Sequence, residues 1–183
     1  MKKTPCFASL ILCTALLAGP AQAGEFDCST RIGRAALDGN LRVPSGARCT
    51  LDGTRIGGNI KVGRGATLEA HDIRVGGNIQ AEGARRVALT GSRVGGNIQA
   101  DSARQVAVIR SRVGGNIQLK QGGGARIESA EVGGNIQLLS NHRAITVGRN
   151  RVNGNLQCKE NRHSPAGGGN RVRGNKEDQC AWL

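Results

Sequence analysis

The stretch Arg74-Val75-Gly76-Gly77-Asn78-Ile79-Gln80, RVGGNIQ, recurs unchanged at Arg93–Gln99 and Arg112–Gln118, and with only its first residue altered at Glu131–Gln137. Anchoring on its asparagine extends the series to eight positions: Asn40, Asn59, Asn78, Asn97, Asn116, Asn135, Asn155 and Asn175. The steps are 19 residues five times and then 20 twice. Glycine precedes every one of these asparagines. Three places before each stands Leu37, Ile56, Val75, Val94, Val113, Val132, Val152 or Val172; one place after stands leucine or isoleucine, until Lys176. A fixed internal period is the first thing to look for, because it decides the architecture.

Nineteen residues are too few for two packed helices, and glycine, asparagine and β-branched residues disfavour helix. Inside each unit the apolar residues alternate. Ile79 and Ala81 point one way with Gln80 between them, and Val87 and Leu89 repeat the pattern, as do Ile98/Ala100 and Val106/Val108 one unit later. Period-two alternation is the signature of half-buried strands. Short strands joined by glycine-rich corners and repeating every 19 or 20 residues predict an all-β fold, a parallel β-helix (β-solenoid) of about eight coils. Each coil buries its apolar stripe only against its neighbours. A right-handed coil is the commoner sense for such connections. Tyrosine is absent, and past residue 23 the aromatics are Phe26 and Trp182. A narrow aliphatic core does not need them; an ordinary globular core would.

The ends add compartment. Lys2 and Lys3, the apolar run FASLILCTALLAG and the small-residue site Ala21–Ala23 read as a Sec signal peptide cleaved after Ala23. Residues 24–183 then form a single solenoid domain, periplasmic or secreted, with no membrane span. Four cysteines remain, Cys28, Cys49, Cys158 and Cys180, as one local pair at each end. An even number in an exported chain predicts disulfides, and the placement favours Cys28–Cys49 and Cys158–Cys180. Zinc spacing is missing.

The six- and five-residue grids of hexapeptide and pentapeptide solenoids are absent. The irregular coil with V-x-G-N-I resembles right-handed β-helix proteins of the bactofilin kind, which implies that fold and a tendency to polymerise. The signal segment and the cysteines depart from the cytosolic bactofilins, and cysteine-closed ends favour a discrete protein, monomeric or weakly self-associating. The ending GNLQCKEN…GGGNRVRGNKEDQC is similar to that of small exported bacterial proteins.

Each column of the repeat has its own reading. The glycine before asparagine needs either positive φ or close approach between coils. The eight asparagines predict a structural amide ladder at a corner, and Gln80, Gln99, Gln118, Gln137 and Gln157 an outer-face ladder. The arginine column resists a scaffold explanation. Arg55, Arg74, Arg93, Arg112, Arg151 and Arg171 stand just before the inward aliphatic, interrupted by Glu131. On successive rungs ~4.8 Å apart, like charges repel by about 1 kcal/mol in water. Lys2 and Lys3 leave with the signal, so 24 of the 26 basic residues remain against 13 acidic ones. A regular cationic stripe suits a polyanion such as lipopolysaccharide, an acidic exopolysaccharide or extracellular DNA. The plain alternative is a solvated edge that blocks β-aggregation.

Enzymatic chemistry finds a thin constellation. Glu82 and Asp101 share a column, one coil apart, followed by Lys120; a paired-carboxylate mechanism competes there with an exposed charge ladder. His142 and His163 fall on adjacent coils without a carboxylate to complete a metal site, and QGGGA and AGGGN lack the Lys-Ser/Thr of a phosphate loop. The expectation is therefore a non-enzymatic protein with no cofactor and no metal. A structural or self-assembling envelope protein is the alternative, and a polysaccharide-cleaving enzyme the third.

Overall fold

The computed structural model describes residues 24–183, and the first 23 residues, read above as a signal peptide, lie outside the described residues. Every element from Glu25 to Asp178 is a β-strand. The strands form three parallel sheets, A, B and C, of nine, eight and eight strands. Each coil adds one strand to each sheet in turn. Around the middle of the chain a coil runs Ile79–Glu82 in sheet A, Arg86–Thr90 in sheet B and Arg93–Val94 in sheet C. Pairing is always between consecutive coils and in register: Ile79 opposite Ile98, Val87 opposite Val106, Val94 opposite Val113. The result is a β-solenoid of about eight turns, as the period requires.

Alternation places one core column after another. In sheet A, Leu41, Ile60, Ile79, Ile98, Ile117, Ile136 and Leu156 are fully buried. Sheet B contributes Leu51, Ala70, Leu89, Val108, Ile127 and Val147, and sheet C Ile56, Val75, Val94, Val113, Val132 and Val152. The parallel register stacks like on like, so each coil covers the apolar stripe its predecessor leaves open. Cys28 is bonded to Cys49, and Cys158 to Cys180, across 21 and 22 residues. All four sulfurs belong to buried residues, and each bond staples a terminal coil that has a neighbour on one side only. Phe26 stacks on Leu41 at the first rung, half exposed, and Trp182 stands in solvent at the far end.

The three bends of the coil are built differently. At the bend from C to A, the amide oxygen of each asparagine accepts the backbone N–H of the next coil's asparagine, and those of Asn40, Asn59, Asn78 and Asn97 accept its side-chain NH2 as well. Asn97 Oδ1 takes the Asn116 backbone N–H at 2.7 Å and its side-chain NH2 at 3.3 Å. The backbone bond is repeated from Asn59 to Asn175. The preceding glycine is required by this ladder. A Cβ on Gly58 would stand 2.5 Å from Asn40 Oδ1, and the same oxygen of the previous coil obstructs Gly77, Gly96, Gly115, Gly134, Gly154 and Gly174. Close approach is thus the reason for glycine here; positive φ occurs elsewhere.

The other two bends use left-handed residues. From B to C, positive φ falls on Gly53, Asp72, Gly91, Arg110, Ser129, Arg149 and Gly169; from A to B, on Gly83, Ser102, Gln121, Ser140 and Glu160. The next residue turns inward and is often polar, satisfied by the adjacent coil. Ser92 N–H donates to Ser111 Oγ, Asn150 N–H to Asn170 Oδ1, and Asn141 N–H to Asn161 Oδ1. Among the described residues no buried side-chain nitrogen or oxygen lacks a partner, which the low-dielectric interior demands.

Candidate polyanion-binding face

Sheet C is the narrowest of the three, because its strands are two residues long. In each, the second residue fills the core and the first projects into solvent. The outward position is the arginine column, held in register by direct pairing: Arg55 with Arg74, Arg74 with Arg93, Arg93 with Arg112, then Glu131, Arg151 and Arg171. All seven are exposed. The sheets differ sharply in charge. The strands of sheet C carry six basic residues and one acidic residue, whereas those of sheet A carry five and six. The positive charge of the protein is therefore concentrated by position.

Glu131 engages one stripe member: Arg112 Nε donates to Glu131 Oε2 at 2.7 Å, and the Nη2 also closes on it. Arg55, Arg74, Arg93, Arg151 and Arg171 have no carboxylate within 4.0 Å among the described residues. Residues outside the repeat phrase widen the face. Arg110, in its left-handed bend, lines the same shallow cleft of about 430 Å³ as Arg74, Arg93 and Arg112, with Asp72 and Glu131 the acids there. Arg173 joins Arg151 and Arg171 further along. Neither is visible as a column, since Arg110 stands where its neighbours are Gly91 and Ser129.

Elsewhere several carboxylates are paired with a nearby arginine. The hydrogen bond from Arg42 holds the Asp27 carboxyl below its ordinary range, and Arg126 does the same for Glu128, with Arg149 adding a weaker pull. Glu82 and Asp101 are register partners, with Lys120 opposite Asp101 on the next rung. Both carboxylates are exposed along an open groove of about 890 Å³ on sheet A, with Gln80 and Gln99 beside them. The glutamine column there is joined by Gln118–Gln137 and Gln137–Gln157 hydrogen bonds. His142 and His163 are both exposed, and among the described residues no three His, Cys, Asp or Glu side chains gather as a metal site. Among the described residues no helix is long and apolar enough to cross a membrane.

Comparison with protein families, with curated proteins and with solved structures finds no match to this chain.

Proposed function

We propose that this chain is an exported, non-enzymatic β-solenoid that binds a polyanionic component of a cell envelope or extracellular matrix along the arginine face of sheet C. Lipopolysaccharide, an acidic exopolysaccharide and extracellular DNA share the required chemistry. One observation carries the reading. Five in-register arginines stand in solvent without a carboxylate, on the sheet whose strands hold a single acid. Unneutralised charges at rung spacing cost free energy when the face is empty, and an anionic polymer relieves that repulsion as it binds. Guanidinium forks also match carboxylate and phosphate oxygens. The two disulfides suit an oxidising compartment, and the signal-like first 23 residues agree with it.

The test is a salt series of binding to lipopolysaccharide, DNA and alginate. Affinity should fall steeply with salt, because each neutralised anionic site releases counterions. Replacing Arg74, Arg93 and Arg112 with Gln should weaken binding at least tenfold. Binding indifferent to salt, or unchanged in that variant, overturns the reading.

A second reading, a structural or self-assembling envelope protein, is favoured by the ends. The strand Glu25–Asp27 is paired on one side only. Phe26 and Trp182, 41% and 64% exposed, stand at opposite ends of the rod. Sedimentation of a single monomeric species from micromolar to millimolar protein would remove it.

A further inference from the structure

A second cationic line runs along the bend between sheets A and B. The residues of that bend between Gly63 and Pro165 carry five arginines, Arg64, Arg85, Arg104, Arg143 and Arg162, against a single acid, Glu160. Arg85, Arg104, Gly123 and Arg143 occupy one column. The backbone N–H of Arg143 donates to Gly123, and Gly123 lies beside the Arg104 rung. All five arginines are exposed. Arg85, Arg104, Arg143 and Arg162 have no carboxylate within 4.0 Å among the described residues, and Arg64 reaches Glu82 only at 4.0 Å. Glu82 and Asp101 belong to sheet A, before the left-handed residues, and the arginines of the column follow them.

The surface here is concave. A cleft of about 470 Å³ is lined by Arg48, Arg85, Arg86, Arg104 and Arg143, and its one acid, Glu69, sits 3.7 Å from Arg86 Nε. Gly123 and Gly124 leave the cleft without a side chain between the Arg104 and Arg143 rungs. This gives a structural use to the triple glycine Gly122–Gly124, which closes no phosphate loop.

Position makes the line more than additional charge. Each coil has three sides, so the bend joining A to B lies across the core from sheet C. The rod is cationic on two opposite sides, and the near-neutral strands of sheet A lie between them.

We infer that the protein is a bivalent bridge, holding one strand of a linear acidic polysaccharide on the sheet C stripe and a second on the A–B bend. The inference rests on the reading of the stripe given above. Phe26 and Trp182, the aromatics after residue 23, are at the ends, so neither line offers the stacking platforms that single-stranded nucleic acid uses. Extended sugars bearing a carboxylate on each residue fit a straight row of guanidinium forks.

The experiment uses the processed protein with a short oligouronate for stoichiometry and long-chain alginate for bridging. Calorimetry should give about two oligouronates per protein, and long alginate should form light-scattering networks that dissolve in salt. The variant R85Q/R104Q/R143Q should bind about one oligouronate and lose the networks while still binding alginate. The variant R85K/R104K/R143K, which keeps the charge, should restore them. If the Gln variant still binds two and still bridges, the bend is not a site, and the stripe reading stands. If R74Q/R93Q/R112Q loses no binding, the stripe reading falls. If the Lys variant bridges no better than the Gln variant, cationic charge on the bend does not hold the polymer and the inference fails. Duplex DNA bridged in preference to alginate overturns the polysaccharide assignment.

Discussion

The bend from C to A and the two bends flanking sheet B do the same mechanical job with opposite freedom of sequence. The first is written Gly-Asn eight times over. The others accept Gly, Asp, Ser, Arg, Gln and Glu at the left-handed position. The difference lies in what makes the turn. At Gly-Asn the turn is a side-chain hydrogen-bond ladder, and its oxygen occupies the space where any Cβ on the preceding residue would go. Both residues are therefore fixed. At the other bends the backbone makes the turn, at a strain of about 1 kcal/mol for a non-glycine residue, and the side chain is left in solvent. Charge can collect where side chains are unconstrained, and Arg110, Arg149, Arg85, Arg104 and Arg143 stand at or beside those bends.

Three substitutions test that contrast, and urea unfolding followed by far-UV circular dichroism is the measurement, since the core has no aromatic reporter. Gly96→Ala should be the most damaging, at about 3–4 kcal/mol, because its methyl displaces Asn78 Oδ1 and overpacks the corner. A loss below about 1 kcal/mol would mean that the ladder yields easily. Asn97→Ala should cost about 2–3 kcal/mol, since Asn116 loses the acceptor of two donors in a half-buried site. Ser129→Gly, at φ 52°, should stabilise by up to about 1 kcal/mol by relieving the left-handed strain. A loss there of the size seen at Gly96 would erase the distinction between the bends.

The smallest effect concerns pH. Glu128 is held below its ordinary range by Arg126, then Arg149, and Asp27 by Arg42. A carboxylate with a depressed folded value stabilises the protein above its unfolded pKa of about 4.3 for Glu and 3.9 for Asp. That contribution is lost as pH falls through the folded value. Arg126→Gln should therefore flatten the decline of the urea midpoint below about pH 5. An unchanged slope would mean that the exposed pair contributes nothing.

The core, the parallel pairing and the coil count were readable because each rests on a column repeated many times. The cysteine pairing was readable from two local pairs at the ends. The left-handed bends were not, because φ there selects no single residue type: Asp72, Arg110 and Ser129 share a column with Gly53 and Gly91. The Asn141–Asn161 and Asn150–Asn170 pairs have too few copies to stand out as a pattern. The A–B arginine line escaped for a geometric reason. The first 20-residue step places its extra residue between Leu139 and Ile145, so a count of 19 from Gly123 lands on His142, while the register partner is Arg143.

The register also has a consequence for size. Every strand pairing links a coil to its immediate neighbours, and the Asn ladder is continuous from Asn40 to Asn175. A duplicated 19-residue unit would meet the same surfaces above and below, with the stapled end coils unchanged. The chain can thus grow or shrink by whole coils without a new packing problem, and each added coil brings one more rung of arginine. Under the proposed function, length would set the number of anchoring points, and gene duplication would tune binding strength in discrete increments.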